Sequence, residues 1–186
     1  MNSYVWVLLI AFAVAAGADW AAVARSRRDL ESIAKPAVLV ILIVLAWLLR
    51  ADTVSYGQYL LAGLALSLVG DLALLGDSAR HFLAGLVAFL VAHLTYIAAL
   101  RRVPGDGPIW PAVIAVVLVA VAVIWWRILP RVRASWREGI PLLAYAVVLA
   151  TMAALAWASG WVVLGIGATL FLVSDALLAV NRFERE

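Results

Sequence analysis

Three aspartates, Asp19, Asp71 and Asp175, stand inside long apolar runs, the last of them in GATLFLVSDALLAVNRF at residues 167–183. A carboxylate in hydrocarbon costs about 2.5–3.5 kcal/mol even on the lenient insertion scale, so a chain that carries three must pair them or use them. Each precedes the first polar residue at the end of its run, Arg25, Asp77 and Asn181, by six positions. At a helical rise of 1.5 Å per residue all three lie about 9 Å from the end of an apolar helix. Carboxylates at one depth suit proton chemistry, one delivering a proton while another activates water or faces developing positive charge. Singly, each acid could instead snorkel to headgroups or bond a neighbouring helix.

Other polar side chains fall in the same third of the apolar runs. Lys35 heads the second run, Tyr145 comes early in the sixth, and Ser174 adjoins Asp175. In the fourth run Phe82, Gly85, Phe89, His93 and Tyr96 recur at steps of three, four, four and three, which draws one helical stripe. The stripe carries His93 into the apolar interior, where a histidine serves as an interhelical hydrogen-bonding group or as a proton donor. Gly63, Gly70, Gly85 and Gly167 read as close helix contacts; no strand precedes them to make a phosphate loop.

The elements that position these residues follow from composition. Hydrophobic residues make up 67% of the 186 positions and charged ones 13%, with a mean hydropathy of +1.09. Such values place the chain among integral membrane proteins and exclude an ordinary soluble domain. Seven stretches are long and apolar enough to span, at roughly 4–24, 34–49, 57–75, 81–100, 109–129, 139–157 and 160–180. Short charged segments such as RSRRDLESIAKP and LPRVRASWREG join them. The expected fold is therefore all-α, a single transmembrane helical domain over residues 1–186. The first stretch lacks a basic leader and reads as a retained span.

Charge sets the expected orientation. With the N-terminus outside, the inner loops hold Arg25, Arg27, Arg28, Lys35, Arg80, Arg127, Arg131, Arg133, Arg137, Arg182 and Arg185, and the outer loops only Arg50, Arg101 and Arg102. That asymmetry predicts a cytoplasmic C-terminus. It also makes the formal charge of +3 a topology signal, with no nucleic acid implied. Thirteen arginines against one lysine suggest a GC-rich genome, and the expected location is a bacterial plasma membrane. The absence of cysteine excludes disulfides and thiolate metal sites, and His81 and His93 lack zinc-ligand spacing, so neither metal nor cofactor is expected. The only lysine, Lys35, lies in the second span, which excludes a retinal Schiff base in the seventh.

An internal repeat is visible. LSLVGDLALL at 66–75 and LFLVSDALLA at 170–179 match in register at an offset of 104, and Pro36 and Pro141 open spans two and six at an offset of 105. A parallel four-plus-four repeat explains both coincidences and calls for an eighth span beyond the seven.

Together KP at the head of span two, GDLALL, FLAGLVAFLVAHLTY and GATLFLVSDALLAVNRF resemble the YhhN-like lysoplasmalogenase family of membrane proteins. The resemblance covers most of the chain. It implies about eight spans, of which the last is not in this sequence; a partner chain, as in a homodimer, is one source for it. It also implies hydrolysis of the vinyl ether bond of lysoplasmalogens to a fatty aldehyde and a glycerophospho-base, with Lys35, Asp71, His93, Tyr96, Ser174, Asp175 and Asn181 at motif positions. The substrate would be a lysophospholipid within the membrane lipid.

That chemistry suits the residues. Protonation of the vinyl carbon gives an oxocarbenium ion, water captures it as a hemiacetal, and the hemiacetal collapses to aldehyde and alcohol. Asp71 and Asp175 are the candidate catalytic carboxylates, expected to face one another across an internal cavity with Tyr145 and His93 on its wall. Lys35 is the candidate phosphate contact, with an ion pair as its structural alternative. Asp19 is a supporting acid. The main alternative is a small proton-coupled transporter or channel, for which intramembrane acids and a histidine are equally natural; a structural scaffold leaves the level acids unexplained.

Overall fold

The computed structural model describes residues 3–25, 27–76, 78–105 and 107–183. Among them there is no strand. The chain forms α1 (Ser3–Ala24), α2 (Arg28–Leu48), α3 (Ser55–Leu74), α4 (Ala79–Leu100), α5 (Trp110–Val123), α6 (Leu129–Ala134), α7 (Trp136–Ala158) and α8 (Val162–Phe183). A π-helical turn at Ile124–Ile128 joins α5 to α6, so the fifth apolar stretch is one rod that runs on through its basic end. Contacts divide the chain into two compact units, Met1–Ala99 with α1 to α4 and Leu100–Glu186 with α5 to α8. The division falls close to the offset of the sequence repeat, and the repeated segments end α3 in one unit and α8 in the other.

The helices are apolar on the outside and small on the inside. Large side chains such as Trp6, Ile10, Val14, Trp20, Val119, Trp126 and Val163 are exposed, while Ala22, Ala34, Ala88, Ala92, Ala153 and Ala156 are buried with Gly63 and Gly70. A soluble protein reverses this arrangement; membrane helices adopt it because lipid solvates large apolar side chains and small residues let backbones approach. Among the described residues five helices are long and apolar enough to cross a membrane, and Ser32–Leu48 and Val162–Asp175 are shorter apolar stretches. The seven expected spans thus coincide with apolar helices, and the chain is an integral membrane protein.

The charged connectors differ from expectation. RSRRDLESIAKP was expected to link two spans, yet α2 starts at Arg28, and most of LPRVRASWREG is helical in α6 and the start of α7. Hydropathy marks the part of a helix that lies in lipid, whereas Arg, Glu and Ala are good helix formers that carry the helix on past that boundary. Pro36 and Pro141 consequently sit inside α2 and α7 rather than at their first residues.

The turn between α2 and α3 shows how a bundle register is set. Arg50 takes a left-handed conformation (φ 64°), a short 3-10 turn follows at Ala51–Thr53, and Thr53 Oγ1 donates to Arg50 O at 2.7 Å. The Gln58 amide donates to Asp52 O at 2.9 Å. Gly57 packs on the Ala51 carbonyl so closely that no Cβ fits, so the start of α3 is locked against the end of α2.

In the second unit Ile109 N donates to Trp157 O at 3.1 Å and Trp161 Nε1 to Pro104 O at 2.7 Å, which fastens Ile109 and Pro104 to the turn between α7 and α8. Trp157 Nε1 donates to Thr169 Oγ1 at 3.0 Å, and Gly165 leaves room for the Trp157 ring.

Candidate functional site

The first unit gathers one polar group from each of its four helices. Lys35 on α2 pairs with Asp71 on α3, Nζ to Oδ1 3.3 Å. Asp71 is 5% exposed. Asp19 on α1 is half-buried and near enough for its charge to act on Asp71. Asp19 lies five residues before the end of α1 and Asp71 three before the end of α3, so both acids occupy the same end of the unit as Lys35, seven residues into α2. Asp19, Asp71 and Lys35 thus lie toward one end of this unit, while Asp175 belongs to the other unit.

α4 docks on α3 through the predicted stripe. Phe89 lies on Gly70, Leu74 on Gly85, and the Tyr96 ring on Gly63; a Cβ at any of the three glycines would overlap its neighbour. These three contacts share one antiparallel register, which fixes the height of α4 along α3. His93 is wholly buried and donates from Nδ1 to Phe89 O, one turn back on its own helix. It meets the Tyr96 ring edge-on, with centroids 6.0 Å apart and an interplanar angle of 82°.

One residue of this site was not among the sequence candidates. Ser67, 3% exposed and one turn before Asp71 on α3, is hydrogen-bonded through Oγ to Tyr96 OH at 3.0 Å. The Tyr96 hydroxyl is also near enough to feel the charge of Asp71. A serine inside an apolar helix ordinarily bonds its own backbone, as Thr95 does here to Ala92 O at 2.7 Å. The i, i+4 spacing of Ser67 from Asp71 places it on the same face of α3 but does not reveal its partner on α4.

The second unit holds Asp175 on α8, half-buried and accepting a hydrogen bond from the Tyr145 hydroxyl of α7. The repeat therefore shows in geometry as well: Asp71 and Asp175, 104 positions apart, each take a partner from the preceding helix of their own unit, an ammonium in one case and a phenol in the other. Ser174 is exposed beside Asp175, and the side chain of Asn181 lies outside the described residues. Of the sequence candidates, then, Lys35, Asp71, Asp19, His93 and Tyr96 gather in the first unit and Tyr145 and Asp175 in the second. Among the described residues no cluster of His, Asp and Glu suits a metal ion.

The first unit thus holds a lysine–aspartate pair with a buried carboxylate, and the Ser67–Tyr96 hydroxyl pair lies one turn away along α3. Residues 30–186 match the YhhN family. The chain belongs to the YhhN family. It is similar to proteins named lysoplasmalogenase TMEM86B, at 34% identity over 137 residues in Sus scrofa and 31% over 133 residues in Homo sapiens; each alignment covers 69% of this chain and 53% of the relative. A lysoplasmalogenase homolog of Dictyostelium discoideum is 26% identical over 229 residues, which cover 97% of this chain and 74% of that protein. The chain thus spans about half the length of the first two relatives. No solved structure matches it.

Proposed function

We propose that this YhhN-family chain hydrolyses the vinyl ether bond of lysoplasmalogens, releasing a fatty aldehyde and a glycerophospho-base. The observation that carries the reading is the polar group of the first unit, Asp19, Lys35 and Asp71 on three helices, with the Ser67–Tyr96 hydroxyl pair one turn away and His93 against the Tyr96 ring. The names of the relatives supply the substrate class.

Hydrolysis of a vinyl ether needs a proton for the carbon, a water for the oxocarbenium carbon, and negative charge near that cation. An aspartic acid at position 71 serves the first need and its carboxylate the third. The lysolipid lies with its phosphate toward the end of the unit where Lys35 is about one third exposed, and its chain runs along the apolar helices. Lys35 has three N–H donors, so it can hold phosphate while it stays paired with Asp71. Asp175 is the second carboxylate of the reading, kept in place by Tyr145; substitution of each acid separately assigns acid and base.

In the orientation we favour, the N-terminus is outside and the polar layer opens toward the cytoplasmic leaflet. Purified protein incubated with a 1-alkenyl lysophospholipid is expected to release aldehyde in proportion to enzyme. Wild-type protein that releases none, yet dissipates a pH gradient in liposomes, would replace the hydrolase reading with proton-coupled transport.

A further inference from the structure

We infer that the Ser67 and Tyr96 hydroxyls form the element that recognises the free hydroxyl on the middle glycerol carbon of a lysolipid, and so select lysolipids against lipids substituted there. The inference rests on the hydrolase reading and assigns a specificity role within the same site.

Ser67 is buried, Tyr96 is half-buried, and their oxygens are 3.0 Å apart across the α3–α4 seam. A hydroxyl carries one donor and two acceptor positions, so two hydroxyls bonded to each other still offer one O–H and several lone pairs. That is a complementary partner for an alcohol, which both donates and accepts. Thr95, the neighbouring hydroxyl, is occupied by Ala92 O.

Height along α3 agrees with the geometry of glycerol. Ser67 is one turn from Asp71, deeper in the helix and away from the end where Lys35 lies. One turn rises about 5.4 Å. Four bonds separate the phosphorus of a glycerophospholipid from the oxygen on its middle carbon, a reach of roughly one turn. A phosphate on Lys35 therefore sets that oxygen level with the hydroxyl pair.

The pair is also built rather than incidental. Gly63 is the residue that admits the Tyr96 ring, and His93 meets that ring edge-on. An ester at the middle carbon loses the donor and adds a chain in a seam held by three glycine contacts. Sites built to bond a substrate hydroxyl reject the analogue lacking it far more strongly than apolar pockets discriminate by size.

The competing role is a purely structural bolt between α3 and α4. The test uses the full chain in nanodiscs and a saturated 1-O-alkyl lysophosphoethanolamine, which cannot be hydrolysed, with its 2-deoxy and 2-O-methyl analogues. Wild type is expected to bind the free-hydroxyl ligand at least ~30-fold more tightly than either analogue. In Ser67→Ala and Tyr96→Phe the ratio is expected to fall to within ~3-fold, while Lys35→Ala weakens all three ligands alike and keeps the ratio. Equal wild-type affinity for the three ligands, binding of none of them, or an unchanged ratio in both hydroxyl variants overturns the inference. Loss of affinity for all three ligands in proportion assigns the pair to structure and overturns it too. Because these ligands are not turned over, failure of the hydrolase reading appears separately, as absent aldehyde release from the alkenyl lipid.

Discussion

Lys35 Nζ stands 3.3 Å from Asp71 Oδ1, with the lysine side chain 34% and the aspartate side chain 6% exposed. The two ends of this ion pair therefore differ in exposure: the ammonium is partly open and the carboxylate is buried. Removal of the cation leaves the carboxylate buried without its partner, which for a fully buried pair costs about 3–5 kcal/mol. With Lys35 a third exposed, Lys35→Ala is expected to cost nearer ~2 kcal/mol. The double variant Lys35→Met, Asp71→Leu removes both charges and should recover that loss. Thermal unfolding in detergent reads the difference; a double variant less stable than Lys35→Ala would assign the pair a net stabilising role.

Gly63 and Gly167 occupy equivalent positions of the repeat, 104 residues apart, yet substitution should affect them in opposite directions. A Cβ at Gly63 overlaps the Tyr96 ring, so Gly63→Ala displaces α4 from α3 and is expected to cost about 1–3 kcal/mol. Nothing in its own unit lies within 4 Å of a Cβ at Gly167, so Gly167→Ala gains helix propensity, up to about 1 kcal/mol. Gly63→Ala combined with Tyr96→Leu should recover part of the stability without the activity. Equal melting temperatures for the two alanine variants would mean that the α3–α4 seam tolerates more movement than its contacts suggest.

Much of the site was legible because polar residues in apolar runs are conspicuous. Asp19, Lys35, Asp71, His93 and Tyr96 stand out for that reason, and the 3–4 spacing of the α4 stripe placed His93 and Tyr96 on the face that meets α3. Ser67 was not legible, because its role depends on a register set by Gly63, Gly70 and Gly85 against three large side chains, and spacing within one helix does not reveal the height of its neighbour. The helical reach of α2 back to Arg28 and the π turn at Ile124–Ile128 were hidden for a related reason: hydropathy reports lipid contact, and both lie where the helix leaves the apolar stretch.

Orientation can be read from α5, the π turn and α6, one rod with Pro104 before its first residue and Arg133 near its last. Both residues are exposed. In intact cells a cysteine at Pro104→Cys is expected to react with a membrane-impermeant maleimide, and one at Arg133→Cys only with a permeant reagent, because the topology expected from the sequence puts eleven of the fourteen basic residues inside the cell, Arg133 among them. The reverse pattern would invert the topology and turn the Lys35–Asp71 layer to the outer leaflet.

Asp71 and Asp175 differ in their partners, and that difference makes their roles separable. Asn retains the shape and hydrogen-bonding reach of Asp but cannot exchange a carboxyl proton, so Asp71→Asn is expected to lower aldehyde release by roughly 10²–10⁴-fold. The fold should survive, since an uncharged group is cheaper to bury. If Asp175 also transfers a proton, Asp175→Asn falls in the same range, whereas Tyr145→Phe, which removes only the hydroxyl that the carboxylate accepts from, should lose about tenfold. Asp19→Asn should be milder than either, because the ion-pair partner of Asp71 is Lys35 and not Asp19. Protonation of a vinyl carbon breaks a bond to an exchangeable hydrogen, so turnover should slow in deuterium oxide, and a variant that lacks the acid should show an altered solvent isotope effect along with its lower rate. Full activity in Asp71→Asn would remove the Lys35–Asp71 pair from the chemistry. Full activity in Asp175→Asn with a large loss in Asp71→Asn would confine the chemistry to the first unit, and the Tyr145–Asp175 bond would then be a helix contact between α7 and α8.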